Sequence, residues 1–486
     1  VENEDDEHLY IFKSKYFISE LLENKSNTDK CQDSPYIKRV YDAKIKNNYN
    51  NKYYKKTVFI KVNPILDVIC FVLDQYQIKT NGLPNYKVGE TFNYINNFNN
   101  QAYIDAFFSF LASKLTESGK APCFPLFYGT CSSLMNNYKF DITEDYSKIK
   151  YHNKFQYNLN KTFTLDEIDI NSDSDSEYDS YSYSDSNSDS NSELSLELND
   201  FKLDIQELEF DESKRPTNIE IDSNIEIDNL LNFTEIDDQH TFSEIIDDNN
   251  TFKYCVLNNF PTQLIFMEKL EFTLDDLIEK KDYTITDKEW KSILFQICFG
   301  LSVAQKSYAF VHNDLHSQNI MFISTKEEFL FYEYNSKYYK VPTFGKIVKI
   351  IDFGRATFEY NNDIYFSSVF DEGGDAEGQY DYPEDNNYNN CKIKPNPSFD
   401  LSRLASTIIE HFDNTTRNPV YKLLKSWLID KYGNNLTTHE DNFNLYLKIA
   451  KNVTSAIPKK QLTKNIFKEF VIIKKKINSK HFVFKY

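Results

Sequence analysis

Glycine is scarce in this sequence, with 11 residues in 486, and none occurs before Gly82. Glycine allows a backbone to approach a phosphate group closely, because it carries no Cβ atom. The absence of glycine before Gly82 therefore excludes a glycine-rich phosphate-binding loop in that part of the chain.

Cysteine is also sparse, and the seven residues are scattered along the chain without a Cys-x-x-Cys pair. This spacing argues against a structural zinc site and against a disulfide framework. It fits a reduced, intracellular setting.

Long apolar runs are absent from the sequence, and no stretch of about 18 apolar residues occurs. The first ten residues, "VENEDDEHLY", are acidic and do not resemble a signal peptide. We therefore expect neither a membrane span nor a secretory leader.

Acidic charge is concentrated in one segment. The chain has a formal net charge of −19, but residues 161–250 alone hold 27 acidic and 4 basic residues, so the rest carries about +4. This segment includes the low-complexity run "NSDSDSEYDSYSYSDSNSDSNSELSLELND", which cannot bury enough apolar surface to offset its ordering entropy. We interpret residues 145–250 as a disordered insertion, and the remainder of the chain stays compatible with an anionic ligand.

Hydrophobic periodicity predicts strands first and mostly helices later. An α+β fold follows, with a small β-rich lobe and a larger helical lobe. The end of the chain up to Tyr486 is predicted to be helical and basic. The individual predictions are strands at 57–62 and 262–270, a short strand in "CFPLFYGTC", helices at 103–115, 286–310 and 397–412, and a strand ending in a turn at 346–356.

Polar groups cluster within a short, otherwise apolar stretch, "FVHNDLHSQNIMF". Asp314 and Asn319 lie there, and Asp352 follows in "IIDFG". Carboxylate and amide oxygens are ligands that Mg²⁺ prefers, and a further carboxylate can accept a hydroxyl proton. Such a set suits phosphoryl transfer from ATP.

At these residues the chain resembles the protein kinase superfamily. "HNDLHSQN" is similar to the catalytic loop, and "IDFG" is similar to the metal-binding turn. The resemblance implies that Asp314 orients or deprotonates the acceptor hydroxyl, that Asn319 and Asp352 bind Mg²⁺, and that His312 packs beneath the loop.

Further motifs extend the resemblance over most of residues 35–430. "TVFIKV" resembles the strand that carries the α/β-phosphate lysine, which is Lys61 here. "LIFMEKL" resembles the hinge strand, with Met267 as gatekeeper and the backbone groups of Glu268 and Leu270 facing adenine. "SFDLSRLA" resembles the helix whose aspartate, Asp400, braces the catalytic loop.

Several positions depart from the usual kinase pattern. Asn313 stands where most kinases have arginine, so activation through a phosphate paired with that arginine is not expected. His316 replaces the usual lysine, as in haspin-like and small-molecule kinases. No motif identifies the residue that pairs with Lys61. Asp105 is our first choice, and Gln101 is the second. The APE motif is absent.

Each of these residues could also have an ordinary structural role. A His-x-Asp pair is usually a surface turn or a satisfied core pair, and Lys61 could face solvent from its strand. Met267 could simply fill the core, and Asp400 could be an ordinary helix N-cap. Only the ordered combination of motifs favours the kinase interpretation.

A narrower resemblance, to putative serine/threonine kinases of giant DNA viruses of the mimivirus type, is carried by "VPTFGKIVKIIDFGRATF", "GDAEGQY" and "NPSFDLSRLA". It implies location in the host cytoplasm or packaging in the virion. The predicted organisation is an N-terminal extension (1–34), the first part of the small lobe (35–144), the acidic insertion (145–250), the end of the small lobe with the hinge (251–270), and the large lobe with a helical extension (271–486).

The function implied is ATP- and Mg²⁺-dependent phosphorylation of protein hydroxyls, most simply on serine or threonine. The acidic segment after Phe353 suggests substrates with basic surfaces, and the acidic insertion could itself be phosphorylated. We expect neither a membrane nor a specific nucleic acid as a partner. The alternatives are a pseudokinase scaffold, favoured by the missing glycine-rich loop, and a small-molecule kinase, favoured by "DLH" around His316.

Overall fold

The computed structural model describes residues 14–22, 40–76, 82–84, 93–169, 251–380, 394–412, 418–436, 442–477 and 481–486. Strands and helices are both abundant in these residues, and the predicted α+β class is confirmed. The low-complexity run at 171–200 lies outside the described residues. Within the described part of the chain, no helix combines the length and apolarity needed to cross a membrane.

The strands, in chain order, are β1 (Tyr16–Leu22), β2 (Val40–Asn47), β3 (Tyr53–Pro64), β4 (Phe127–Met135), β5 (Tyr138–Asp141), β6 (Phe163–Asp169), β7 (Thr251–Leu257), β8 (Phe260–Glu268), β9 (Phe272–Thr273), β10 (Ile320–Ser324), β11 (Phe329–Tyr334), β12 (Lys337–Pro342), β13 (Lys346–Ile350), β14 (Thr357–Tyr360), β15 (Asp363–Phe366), β16 (Val471–Ile472) and β17 (Val483–Lys485). The helices are α1 (Val68–Val72), α2 (Asn93–Asn96), α3 (Gln101–Glu117), α4 (Thr143–Ile149), α5 (Asn153–Asn158), α6 (Leu274–Glu279), α7 (Asp287–Tyr308), α8 (Phe399–Ile408), α9 (Pro419–Trp427), α10 (Asn442–Asn452) and α11 (Pro458–Gln461).

A five-stranded antiparallel sheet in the order β1-β2-β3-β8-β4 forms the N-terminal part of the fold. Its first strand, β1, lies inside the stretch 1–34, for which the sequence indicated only an extension. In β3, Val58 and Ile60 alternate with more exposed residues and point into the core. Lys61 lies opposite Ile265 of β8, so the lysine predicted from "TVFIKV" is carried by a central strand of this sheet.

Helix α3 contacts β4 and β8 of the sheet on one side and α7 on the other. Its N-terminus is capped by the Asn100 side chain, which accepts a hydrogen bond from the Ala102 N–H at 3.0 Å. The predicted helix at 103–115 is thus found, extended at both ends. Because α3 is buried on nearly all sides, even its polar Asp105 is held in a defined position.

Helix α7 forms the centre of the main hydrophobic core. The Thr286 side chain caps it by accepting from the Glu289 N–H, and Ala309 with φ 48° ends it, so the predicted helix at 286–310 is found. Gly300 allows α7 to approach the segment before β4, because a Cβ atom there would lie 2.8 Å from Cys123 Cβ. The polar stretch after Phe310 therefore begins directly after a tightly packed helix.

A four-stranded sheet in the order β16-β12-β11-β17 was not predicted. Strands β11 and β12 form a hairpin between the polar stretch and Asp352, with Asn335 and Ser336 both at positive φ in a two-residue turn. The C-terminal strand β17 pairs in parallel with β11. The prediction that the chain end is entirely helical therefore differs from the structure, since short apolar runs there complete this sheet.

A second core lies beside the five-stranded sheet, built from β5, β6, β7 and the neighbouring helices α1, α4 and α5. Phe155 and Phe163 are buried in it. The described residues 145–169 thus contain ordered elements, although the sequence indicated disorder from 145 onward. Their apolar side chains bury against Cys255 and Leu257 of β7, a contact across about 90 positions that local composition does not reveal.

Candidate active site

Lys61 lies at the centre of the candidate site. Its Nζ is 2.5 Å from Asp105 Oδ2 and 2.8 Å from Asp352 Oδ1. Burial alone would lower the pKa of Lys61, but the two carboxylates outweigh it and hold the pKa well above its ordinary value. Lys61 is therefore a permanent cation that joins β3, α3 and the turn after β13.

The buried carboxylate of Asp105 accepts hydrogen bonds from three donors. Oδ2 accepts from Lys61 and from Asn63 Nδ2 (2.7 Å), and Oδ1 accepts from the Phe353 N–H (2.9 Å). The structure thus places the first-choice partner against Lys61. Gln101, the second choice, lies over Gly354 instead, where its side chain would meet an added Cβ at 3.0 Å.

Asp352 adopts φ 64°, a left-handed conformation that costs energy for a residue other than glycine. Partial removal from water raises the pKa of Asp352, but the Lys61 ammonium outweighs this and brings it to about 2. The next residue, Phe353, is buried, with ring centroids 5.0 Å from Phe108 and 5.6 Å from His312. Aromatic packing thus fixes the turn that presents the Asp352 carboxylate.

His312 is fully buried and hydrogen bonded at both ring nitrogens. The Asp314 N–H donates to Nδ1 (3.3 Å), which leaves the hydrogen on Nε2 to reach the Ile351 carbonyl (2.8 Å). Burial lowers the pKa of His312. The neutral ring therefore links the Asp314 N–H to the Ile351 carbonyl.

Asp400, in the first turn of α8, braces the same stretch. Its carboxylate accepts from the His312 N–H at 3.0 and 3.1 Å and from the Asn313 N–H at 3.1 Å. Burial raises the pKa of Asp400 to about 7, although both N–H groups favour its charged form. The N-cap of α8 is Ser398, so the ordinary capping role considered for Asp400 does not apply.

Asn313 connects the stretch to the segment after Gly354. Its Nδ2 donates to the Arg355 carbonyl (2.9 Å) and to Thr357 Oγ1 (3.1 Å), while its Oδ1 accepts from the Tyr380 hydroxyl (2.7 Å). With φ 65°, it occupies a conformation that asparagine tolerates better than most residues. The neutral amide of Asn313 therefore forms a hydrogen-bond network at the position where most kinases have a charged arginine.

Asn319 and His316 lie at the far end of the stretch. Asn319 Nδ2 donates to the Asp314 carbonyl (2.9 Å) and lies 3.0 Å from His316 Nε2. The Ile351 N–H donates to the Asn319 carbonyl at 3.1 Å, which ties this end to the residue before Asp352. Burial lowers the pKa of His316, so its ring is a neutral neighbour of Asp314.

Asp314 itself is a quarter exposed and is surrounded by groups that sequence reasoning missed. The Tyr446 hydroxyl is 2.5 Å from Asp314 Oδ1, and Arg355 Nε is 3.8 Å from Asp314 Oδ2. Arg403 Nε in turn donates to the Tyr446 hydroxyl oxygen (2.8 Å). Arg355 follows the "DFG" motif and could have been suspected, but no local signal links Tyr446 to a residue 132 positions away.

The three predicted hinge residues lie at the end of β8 and just beyond it. Met267, opposite Phe59 of β3 and Phe127 of β4, borders a small pocket with Ser109 and Asp352. The Glu268 carboxylate pairs with Lys349 Nζ (2.9 Å), which is almost fully buried.

Leu270, two residues after the strand, is largely buried. The Glu268 side chain therefore anchors the end of β8 through its ion pair with Lys349.

The residues present fit a magnesium ion. Among the described residues, no group of three or more His, Cys, Asp or Glu side chains forms a metal site by itself. Mg²⁺ is commonly held by one or two protein oxygens together with waters and substrate phosphates. Asp352 and Asn319 supply a carboxylate and an amide oxygen of this kind from joined segments.

Taken together, a buried lysine–carboxylate pair, a turn aspartate and a braced Asp/Asn stretch are the features of kinase-superfamily sites, here on an α+β fold with a curled sheet. No protein-family model matches the chain.

Comparison with curated proteins points the same way. The chain is 34% identical to serine/threonine-protein kinase haspin of Mus musculus over 120 residues, 25% of this chain and 16% of that protein. It is 33% identical to haspin of Bos taurus over 120 residues, 25% and 15% of the two chains. A probable serine/threonine-protein kinase of Dictyostelium discoideum is 31% identical over 102 residues, 20% and 8%. Each match thus spans less than a fifth of the relative, and these distant homologues support placement in the kinase superfamily.

Proposed function

We propose that this protein is an ATP- and Mg²⁺-dependent protein kinase that phosphorylates serine or threonine hydroxyls. The observation that carries the proposal is the double contact of Lys61 with Asp105 and Asp352. A cation for phosphate and a carboxylate for metal are thereby joined in one network. The two-lobed arrangement belongs to the same proposal, with the boundaries given above changed so that β1 and residues 145–169 count as folded parts of the chain.

In this proposal adenine lies against the strand end after Met267, with the Glu268 carbonyl and the Leu270 N–H as its backbone partners. Lys61 contacts the α- and β-phosphates. Support comes from the strand register, because Lys61 and Met267 lie on the directly paired strands β3 and β8. A side chain from one strand and backbone groups after the other can then reach a single nucleotide.

Asn319 and Asp352 would hold Mg²⁺, which neutralises phosphate charge when it is bound with ATP. Asp314 orients the acceptor hydroxyl and takes up its proton as the phosphoryl group is transferred. The neutral His316, beside Asp314, adds hydrogen-bonding capacity without the charge of a lysine. His312 and Asp400 position the stretch and take no part in proton transfer.

This arrangement implies activity without phosphorylation of the segment after Gly354. In kinases regulated in that way, a phosphate pairs with the arginine of the catalytic loop. Here Asn313 already holds Arg355, Thr357 and Tyr380 through neutral hydrogen bonds. The described part of this segment, up to Tyr380, thus has contacts that are present in the unmodified chain.

The direct test is transfer of γ-labelled phosphate from Mg²⁺–ATP to a basic serine/threonine peptide library, with an acidic library for comparison. We expect transfer to the basic library and a fall of at least about 100-fold in both Asp314→Asn and Asp352→Asn. Asp282→Asn, an exposed aspartate distant in sequence from these motifs, is the matched control and should retain the wild-type rate. Equal rates in all four proteins would reject the proposal, and transfer to metabolites alone would redirect it to a small-molecule kinase.

A second candidate, a nucleotide-binding pseudokinase scaffold, is favoured by one observation. No glycine occurs in the sequence before Gly82, so the segment upstream of Lys61 lacks the residue type that lets a backbone approach phosphates closely. ATP binding measured by calorimetry, with no labelled product from the wild-type protein, would favour this function over catalysis.

A further inference from the structure

The environment of Asp314 includes a contact that the kinase motifs do not account for. Tyr446, on α10, places its hydroxyl 2.5 Å from Asp314 Oδ1. A hydroxyl that donates to a carboxylate forms a charge-assisted hydrogen bond. It links the residue expected to face the acceptor hydroxyl with a helix far along the chain.

The direction of this hydrogen bond is determined by Arg403. A guanidinium can only donate, and Arg403 Nε donates to the Tyr446 hydroxyl oxygen at 2.8 Å. The single hydrogen of the phenol is therefore available for Asp314 Oδ1. A donor that is itself hydrogen bonded in this way is polarised, which strengthens the next bond in the chain.

The ring of Tyr446 is fixed and cannot swing away freely. Tyr446 is only 8% exposed, its ring centroid lies 5.6 Å from that of Phe399, and the Arg403 guanidinium lies over the ring at 4.9 Å. Phe399 and Arg403 both belong to α8, the helix whose Asp400 braces the stretch. The ring of Tyr446 is therefore held where α10 packs against α8.

The two oxygens of Asp314 consequently differ. Oδ1 receives the short bond from Tyr446, whereas the nearest cation to Oδ2 is Arg355 Nε at the longer distance of 3.8 Å. When Oδ1 is fixed by a hydrogen bond, the partly exposed carboxylate presents Oδ2 as a proton acceptor in a defined position. An unheld aspartate would sample several rotamers.

We propose that Tyr446, oriented by Arg403, is a positioning residue that holds Oδ1 of Asp314 so that Oδ2 faces the acceptor hydroxyl. This inference rests on the proposed function, since it assigns the acceptor to Asp314. It makes α10, which carries none of the kinase motifs found in the sequence, part of the catalytic apparatus.

The test is Tyr446→Phe, which keeps the ring and removes only the hydroxyl. We expect kcat at saturating Mg²⁺–ATP and peptide to fall about tenfold, while the KM for ATP stays unchanged. Arg403→Lys should lower kcat less, and adding it to Tyr446→Phe should cause no further loss, because both act through one hydrogen-bond chain. Ser406→Ala, which removes the other side-chain contact of Arg403, should retain the wild-type kcat.

Two outcomes would overturn the inference. A wild-type kcat in Tyr446→Phe would show that the bond does not position Asp314, and an increased kcat would show that the hydroxyl competes with the acceptor.

Crystal structures of the wild-type protein and of Tyr446→Phe give a readout that does not require activity. Displacement of the Asp314 side chain in the variant is expected, and an unchanged rotamer would reject the positioning role. If the wild-type protein transfers no phosphate, the kinase proposal fails separately, and the two structures still decide whether Tyr446 holds Asp314.

Discussion

At the scale of single residues, Asp105 joins β3, α3 and the turn at Asp352. One oxygen accepts hydrogen bonds from Lys61 and Asn63, and the other accepts from the backbone N–H of Phe353. An aspartate is short for this task, and it reaches because α3 packs directly against the strand β8 that neighbours β3. The position of α3 and the turn at Asp352 are therefore coupled through one carboxylate.

Asp105→Asn keeps the shape of this side chain and removes its charge. We expect kcat/KM for ATP to fall about 10- to 100-fold, because Lys61 loses a fixed partner and turns towards Asp352. Steady-state kinetics with varied ATP is the measurement. Glu117→Gln alters a buried carboxylate at the other end of the same helix and is the control. An equal loss in both variants would indicate general damage to α3.

At the scale of elements, α8 is the helix that sets the geometry of the polar stretch. Its first turn presents Asp400 to the His312 and Asn313 N–H groups, and the same turn supplies Phe399 beneath Tyr446. Three backbone-directed hydrogen bonds to one buried carboxylate leave the stretch little freedom. Burial is nevertheless costly for the charged form of that carboxylate.

This cost makes stability depend on pH. The folded-state pKa of Asp400 is raised to about 7, above the value of about 3.9 expected in the unfolded chain. Its contribution to the free energy of unfolding is therefore complete below about pH 4 and is lost as the pH rises through 7, by up to about 4 kcal/mol.

Denaturant unfolding of the wild-type protein and of Asp400→Asn at pH 4 and pH 8 would measure this contribution to the free energy of unfolding. Relative to wild type, the variant should gain stability between the two pH values. Asp282→Asn should show no such change, and a constant difference for Asp400→Asn would contradict the assignment.

At the scale of the whole molecule, most of the acidic charge lies in the sequence between two paired strands. Residues 161–250 hold a net charge of about −23, and strand β6 near the start of this stretch pairs with strand β7 directly after it, from Phe163 opposite Leu257 to Asp169 opposite Thr251. Asp169 and Thr251, which flank residues 170–250, are therefore held next to each other.

Replacing residues 170–250 by a short Gly/Ser turn should preserve the fold. The strand ends already adjoin, and shortening a loop reduces its closure entropy, so we expect a melting temperature equal to or slightly above that of wild type. Differential scanning calorimetry is the measurement. As a control, the same linker can replace residues 136–137, which connect β4 and β5. A large loss of stability in the 170–250 deletion alone would show that this stretch contributes packing.

The sequence predicted those parts of the site that depend on local pattern. The strand around Lys61, the capped helix α7 and the spacing of Asp314, Asn319 and Asp352 could all be identified from short-range signals. Asp105 was named only as the first of two choices, because the face of a helix buried on all sides cannot be determined from periodicity. The hairpin β11–β12 was missed although its two-residue turn between aromatic strands was a usable signal.

The α+β class, the strands and helices around the motifs and the groups available for phosphoryl transfer follow from the sequence alone, because propensity, capping and motif spacing act over a few residues. Which of those groups meet depends on the tertiary structure. Tyr446 and Arg403 reach Asp314 through helix packing, and β17 joins β11 across much of the C-terminal half of the chain. Contacts between distant segments depend on how whole surfaces pack together, and that information is not contained in any local stretch.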